Sequence, residues 1–385
     1  QNEVKRVSVA LHRRDCLDCA VSAWNCLERE DYTSAIHLMR RACCIFDVGS
    51  AGSETLTRVI EAAVDLYRGR ALQPYSEDAA LILQNLRPRI ISVSGFGWSG
   101  SGAVADFLRD RPGVSFPFGD TEVSIFEGFE NLAIGAAALL DSFHYENPNV
   151  RQTASLMILT TFLPALALKK SSKHLNRWPQ KVLLRKIDLG IMENYTNLCL
   201  RFLHSIDLGI RRKRADAVRN SLNKLLRGVL LLLSDNSDII VLNNSIHAQN
   251  IHLLELLENS IGVVVHRDPR DQFVARSYEN LRLTKASVET FAQRLVRNYD
   301  KYYQRLQDST VQARIVETTF ERFVSDPDER ALLTERLGIK GPSGFSGSLR
   351  PEVSQRNIGI YKSFSDQQSI RQLAALLDLK AGGPS

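Results

Sequence analysis

Arg89-Ile90-Ile91-Ser92-Val93-Ser94 runs into Gly95-Phe96-Gly97-Trp98-Ser99-Gly100-Ser101-Gly102 and on into Ala103-Val104-Ala105-Asp106-Phe107-Leu108. The first run is rich in β-branched residues and reads as a buried strand; the last carries apolar residues at helical spacing. A strand, a glycine turn and a helix N-terminus together aim backbone N–H groups at one point, an arrangement suited to phosphate. Taken alone, the turn admits several ligands. Gly95-x-Gly97-x-x-Gly100 is a dinucleotide fingerprint, with Asp120 or Glu122 about where a ribose-binding acid falls. Gly95 and Gly100 also have the spacing of a triphosphate P-loop. There, however, Ser101 replaces the lysine and Gly102 the Mg²⁺-binding hydroxyl, so a kinase or ATPase loses much of its chemistry.

Outward from the turn, strand patterns recur at 113–118, 238–243, 261–266 and 313–317, with helices expected at 251–257 and from about 328 to 337. Strands alternating with helices predict an α/β fold with a doubly wound parallel sheet. Ligands in such sheets sit at the carboxyl ends of strands, beside a topological switch. Residues 126 to about 235 read as a long helical insertion in a domain spanning 86–385. The insertion carries basic clusters at Lys169-Lys170, Lys181, Arg185-Lys186 and Arg211 to Arg214, read as a solvated face in preference to an acceptor site.

Residues 1–85 read as a smaller helical region, with a linker near 71–78 around Pro74. Leu27-Glu28-Arg29-Glu30-Asp31-Tyr32-Thr33-Ser34-Ala35-Ile36 resembles the helix–turn–helix core of a tetratricopeptide repeat, with Glu30 where that motif has glycine. Only one such unit is visible, whereas solenoids need several. The expectation is a helical cap, with a protein partner on these helices as the sharper alternative.

Composition narrows the classes. With 385 residues, 44% hydrophobic content and a net charge of +6, the chain suits one large domain, a smaller one, and an anionic ligand. No aromatic-interleaved basic stripe or zinc-finger spacing supports nucleic acid as a partner. Cys16-x-x-Cys19 lacks a second pair at ligand spacing, so the six cysteines read as small apolar residues in a reducing, cytoplasmic setting. No cleavable signal pattern begins the chain as given, and the apolar run 156–168 is short for a bilayer span.

The chain offers a second phosphate grip. The strand ending at His266 enters Arg267-Asp268-Pro269-Arg270-Asp271, where Asp268 suits an N-cap and Pro269 the first helical position. Arg267 then stands at the carboxyl end of a strand, where a fixed guanidinium suits bidentate phosphate binding.

These residues resemble the sulfotransferases that use 3′-phosphoadenosine 5′-phosphosulfate. Ser99-Gly100-Ser101-Gly102 is similar to their phosphosulfate-binding loop, and Arg267 to Asp271 to their 3′-phosphate segment. Phe320-Glu321-Arg322-Phe323-Val324-Ser325-Asp326-Pro327, with Leu337-Gly338-Ile339, resembles a later helix entry. Arg356-Asn357-Ile358-Gly359-Ile360-Tyr361-Lys362 resembles the loop that folds back towards the donor. The four matches fall in the family's order. Two positions depart from it. Trp98 stands where lysine or arginine is usual. Ala275 stands where a serine is expected, with Ser277 two residues on, so either Ser277 takes over or Arg267 works with groups such as Arg276.

The resemblance implies a P-loop-like sulfotransferase fold. It also implies in-line transfer of a sulfuryl group, without a metal, to a hydroxyl or amine of an acceptor such as a glycan. Donor contacts would come from Gly97, Trp98, Ser99, Gly100, Ser101, Gly102, Ala103, Arg267, Ser277 and Arg356. Glu122 and His247 compete as the general base. Two other functions stay open: an NAD-dependent dehydrogenase built on the same glycines, and a non-catalytic scaffold with a degenerate sulfotransferase-like domain.

Overall fold

The structure is a computed structural model that describes residues 18–42, 49–72, 86–117, 148–162, 189–234, 237–279, 288–339 and 348–377. Its helices, in chain order, begin with α1 (18–28), α2 (Tyr32–Ala42), α3 (Gly49–Tyr67) and α4 (Ser101–Arg109). Next come α5 (Pro148–Phe162), α6 (Leu189–Arg211), α7 (Ala215–Leu233) and α8 (Pro269–Glu279). Last are α9 (Val288–Leu306), α10 (Phe320–Ser325), α11 (Pro327–Arg336) and α12 (Gln367–Leu376). The strands are β1 (Arg89–Gly95), β2 (Val114–Ser115), β3 (Ile239–Asn243), β4 (Ser260–His266) and β5 (Ile315–Thr319). The chain divides into two compact units: residues 1–86 with 125–236, and residues 87–124 with 237–385.

The first unit is helical in its described residues, and it joins the N-terminal helices to the insertion. Helix α3 packs on both α5 and α6, through a face whose Val59, Ile60, Ala63 and Val64 are fully buried. Asp207 on α6 fixes this packing. Its side chain is fully buried, accepts the Leu72 amide at 3.0 Å, lies 2.8 Å from Arg211 Nη2 and 3.6 Å from Arg151 Nη2. Part of the basic run 211–214 is therefore committed: Arg211 serves Asp207, and Arg214 pairs with Asp216. The clusters at Lys169, Lys181 and Arg185 lie outside the described residues. No described helix is long and apolar enough to cross a membrane.

The turn between α1 and α2 explains the glycine of the repeat motif. Asp31 N donates to Cys26 O and Glu30 N to Leu27 O, which is a Schellman cap with Glu30 at the left-handed position, φ 60°. Asp31 then caps α2, its carboxylate accepting from Ser34 N at 3.2 Å.

The second unit is a five-stranded sheet in the order β2-β3-β1-β4-β5, every neighbouring pair parallel. An α/β fold with a parallel sheet is thus present. Strand β1 lies at the centre and is buried on both faces, as its near-continuous apolar run requires. From β1 the chain passes through α4 to β2 at one edge; after β3 it crosses β1 to reach β4 on the other side. The connections diverge at the carboxyl end of β1, which opens a crevice there. Beneath it lies a core including Ile91, Val93, Val104, Val263, Phe323 and Leu337.

Element edges differ from the sequence expectations for local reasons. The last strand begins at Ile315 rather than 313, because Asp308 caps a short helix over Ser309–Gln312 whose final turn takes up Ala313. The stretch expected as a helix at 251–257 is a 3-10 segment over Ala248–Leu256, with non-helical backbone at Asn250. The second strand is two residues long, and residues beyond 117 on that side lie outside the described part.

Candidate functional site: a cationic cavity at the glycine turn

The turn after β1 is held by packing that only small residues allow. A side chain at Gly95 would meet Ser99 Oγ at 1.7 Å, so the Ser99 side chain folds beneath the turn and is buried. Gly100 has φ +85°, and a Cβ there would lie 2.2 Å from the Phe320 ring. The backbone at Trp98 is also left-handed, φ 51°, a conformation that costs a non-glycine residue about 1 kcal/mol. Helix α4 starts at Ser101, whose hydroxyl donates to Asn244 Oδ1 at 3.1 Å, tying the turn to the end of β3. The Ala103 amide is engaged by Gly100 O at 3.0 Å.

Arg267 sits where β4 ends and joins the segments around it. Its Nη1 donates to Trp98 O at 2.9 Å, its Nη2 donates to Asn357 O at 2.7 Å, and its guanidinium carbon lies 4.7 Å from the Phe320 ring centroid. It is 8% exposed, and its buried Nε has no hydrogen-bond partner. Burial pushes the guanidinium pKa below its ordinary value, against the attraction of Asp271, Glu321 and Asp268.

The residues after Arg267 serve the fold. Asp268 caps α8, accepting from Arg270 N at 2.8 Å, and pairs with the Arg270 side chain at 2.6 Å. Arg270 in turn stacks 4.0 Å from the Tyr361 ring centroid. Asp271 is almost fully buried and accepts from Gly359 N at 2.7 Å and Tyr361 N at 3.0 Å. Burial raises its pKa, and the two amides oppose that rise. The late loop is thereby pinned beside the turn.

These elements enclose a cavity of about 660 Å³. Of the residues expected to bind a donor, Gly97, Trp98, Gly100, Ser101, Gly102 and Arg267 line it. His247 lines it as well, while Glu122 lies outside the described residues. Ser99, Ala103, Ser277 and Arg356 do not line it. Ser277 instead donates back to Phe273 O at 2.8 Å within α8, and Arg356 faces solvent.

One wall of the cavity carries no sequence motif. Phe291, Arg294, Leu295 and Asn298 all line the cavity from α9. Their spacing of three and four residues puts them on one helix face, a pattern visible in the sequence but carrying no motif. Arg276 on α8 lies over the rings of Trp98 at 5.5 Å and Phe291 at 5.6 Å. Burial and the nearby Arg294 charge both lower its pKa. The described lining residues include three arginines and a histidine but no carboxylate. Such a lining attracts an anion and holds aromatic faces for a flat apolar group.

Behind the turn, Phe96 stacks on Tyr299 with centroids 3.9 Å apart. His266 Nε2 lies 2.9 Å from Glu317 Oε1, which also accepts from Tyr302 Oη at 2.7 Å. His266 is thus engaged in a network behind the cavity.

Comparison with protein-family models and with curated proteins finds no match to this chain.

Proposed function

We propose that this protein is a sulfotransferase that moves a sulfuryl group from 3′-phosphoadenosine 5′-phosphosulfate to a hydroxyl or amine of an acceptor, a glycan being the favoured class. The observation that carries the reading is the convergence on Arg267. Its side chain touches Phe320 and Asn357, one residue from each of the two later segments that resemble the family, and Trp98, directly before the Ser99–Gly102 loop. Segments 169 and 90 residues away from Arg267 in the chain, on either side of it, meet with it around one cavity at the switch point of a parallel sheet. A P-loop-like sulfotransferase fold and a cytoplasmic site of action belong to the same proposal; free thiols at Cys19, Cys26 and Cys199 are consistent with the latter.

The residues present suit such a donor. Nothing stands within 4 Å of the Cβ positions of Gly97 and Gly102, so a phosphosulfate can approach the backbone there. The described lining residues, which include no carboxylate, suit its negative charges. In the transfer, the bond from sulfur to the phosphate oxygen breaks as the bond to the acceptor oxygen or nitrogen forms, and the acceptor proton passes to a base. His247 is the described candidate for that base, because it lines the cavity. The turn and its arginines supply position and a fixed positive field.

The test is transfer of radiolabelled sulfuryl from the donor to a panel of glycans and small hydroxylated acceptors. Labelled product that disappears in Arg267→Ala and in His247→Ala is the expected result. No transfer to any acceptor, together with no calorimetric binding of adenosine 3′,5′-bisphosphate, would overturn the reading. Binding of NAD unaffected by Arg267→Ala would replace it with the dehydrogenase.

A further inference from the structure

We infer that the acceptor is an acidic glycan, bound on the cavity wall that Tyr278, Arg294 and Asn298 form beside His247, with Arg294 as the reader of its negative group. This rests on the proposed function for the identity of the reaction and names the acceptor class that the same cavity selects.

The cavity holds more than the donor segments explain. The four segments that resemble the family are 99–102, 267–271, 320–327 with 337–339, and 356–362. Tyr278, Arg294 and Asn298 line the cavity from outside all of them. So do His247 and Gln249, at the start of the 3-10 segment over Ala248–Leu256. Helix α9 packs directly against that segment. The helix that carries Arg294 and Asn298 therefore borders the stretch next to the candidate base. A hydroxyl that gives its proton to His247 belongs to a molecule lying along this wall.

Three features of the wall select a charged sugar. Tyr278 is 59% exposed, yet its ring is braced: it forms a T-shaped pair with Phe364 at 6.2 Å, and Phe364 forms another with the buried Phe273 at 6.4 Å. A T-shaped partner covers at most one face. The other face can carry the C–H side of a sugar ring, drawn by the negative charge of the aromatic surface. Ala275, one turn earlier on α8, also lines the cavity, and its small side chain leaves space beside the ring. Asn298 and Gln249 are half-buried amides, each able to donate and to accept, which suits hydroxyl groups that do both. Arg294 is exposed, its charge acts on Arg276, and the described lining residues include no carboxylate to balance it. A carboxylate or sulfate ester on the acceptor supplies that balance through the guanidinium fork. The buried Phe291 and Leu295 anchor α9 and keep Arg294 on the cavity rim.

The experiment uses the full chain and its Arg294→Ala, Arg294→Lys and Tyr278→Ala variants. The probes are a hexasaccharide of alternating glucuronic acid and N-acetylglucosamine, its carboxyl-reduced neutral form, and that neutral form carrying sulfate esters. Each is titrated calorimetrically and then assayed as an acceptor with labelled donor. The wild type should bind an acidic form about tenfold or more tightly than the neutral one, and the tighter of the two acidic forms identifies the group that Arg294 reads. Arg294→Ala should erase that preference, raising KM for the acidic form with kcat little changed, the mark of a contact made equally in ground and transition states. Arg294→Lys, which keeps the charge and loses the fork, should fall between. Tyr278→Ala should weaken acidic and neutral forms alike. Adenosine 3′,5′-bisphosphate should bind all four proteins within about twofold. Equal binding of acidic and neutral forms by the wild type, or binding of none, would overturn the inference. So would bisphosphate affinity that falls in Arg294→Ala, which would assign Arg294 to the donor. Acidic glycan bound through Arg294 without sulfuryl transfer would remove the proposed reaction and leave the site standing. Transfer that ignores the charge of the acceptor would do the reverse.

Discussion

Arg267 Nη1 donates to the carbonyl oxygen of Trp98 at 2.9 Å. The bond holds a residue whose own backbone is strained, since Trp98 has φ 51°, and the other end of the same fork holds Asn357 O. A single ammonium cannot reach both carbonyls in the plane that a guanidinium spans. Arg267→Lys therefore frees the turn from the late loop and leaves at least one of the two part-buried carbonyls without its donor. A stability loss of about 1–3 kcal/mol is expected. Ligand affinity should fall with it. Urea denaturation and bisphosphate calorimetry on one preparation read both effects.

Gly100 and Phe320 make a second test, because two separate penalties meet at one residue. A Cβ at Gly100 would lie 2.2 Å from Phe320 Cδ2, and its φ of +85° disfavours any L side chain. Overpacking costs about 1–3 kcal/mol and the left-handed backbone about 1–2 more. Gly100→Ala should destabilise the α/β unit by more than 2 kcal/mol on this account, and Phe320→Leu in the same chain should recover only the steric part. Full recovery would show that the backbone carries no strain.

How far the sequence shows this site depends on what each residue does. The turn, β1 and the β4–α8 junction are legible because glycines, β-branched runs and an Asp-Pro cap act locally. Arg267 was identifiable by position; its work was not. Its partners, Trp98 O and Asn357 O, are backbone atoms 169 and 90 residues away in the chain. Backbone acceptors leave no residue-type signal. Arg294 was hidden for a different reason. It lies on an ordinary amphipathic helix, and which polar residue on the rim of its apolar face meets a cavity depends on how α9 lies against the sheet. The joining of the N-terminal helices to the insertion rests on Asp207, a lone aspartate on α6 whose partners are Arg211 one turn on and two residues from elsewhere in the chain, Leu72 and Arg151.

That aspartate supplies the next test. Asp207 is fully buried between Arg211 and Arg151 and accepts the Leu72 amide. Asp207→Ala strips the carboxylate from both cations and from the amide. Arg211 keeps access to solvent, so the cost comes chiefly from the buried Leu72 amide left without its acceptor, about 1–3 kcal/mol. Hydrogen exchange of α3 and α6 amides should accelerate, while β1 and β4, in the other unit, keep their protection. Uniform loss across both units would show that the two unfold together.

Glu317 gives the chain a pH signature. Its hydrogen bond to His266, and secondarily that to Tyr302, hold its pKa below the ordinary 4.5, with burial opposing. A depressed carboxyl pKa means the native state favours the ionised form. Its contribution is therefore present above the unfolded value and is lost as pH falls through the folded one. Stability should decline below about pH 4.5 in the wild type, and Glu317→Gln should flatten that part of the profile. Half of the side chain is exposed, so solvent screening keeps the effect small. Denaturation midpoints taken in steps from neutral pH down to about pH 3 provide the comparison. A variant as acid-sensitive as the wild type would assign the loss to other carboxyls.

The turn at Glu30 gives a prediction of opposite sign. Glu30 occupies the C′ position of a Schellman cap with φ 60°, and it is exposed. Glycine reaches that conformation without a steric penalty, whereas a residue with a Cβ is strained there by about 1 kcal/mol or more. Greater chain freedom in the unfolded state offsets part of the gain, since glycine loses more entropy on folding. Glu30→Gly should therefore stabilise the helical unit by about 0.5–1 kcal/mol. Glu30→Ala should gain nothing, because alanine keeps the Cβ that causes the strain. The alanine control separates the backbone effect from removal of a charge near the end of α1. Equal stabilisation in both variants would place the origin in electrostatics, not in the left-handed backbone. Thermal denaturation followed by far-ultraviolet circular dichroism, with α2 amide exchange as the local readout, decides between them.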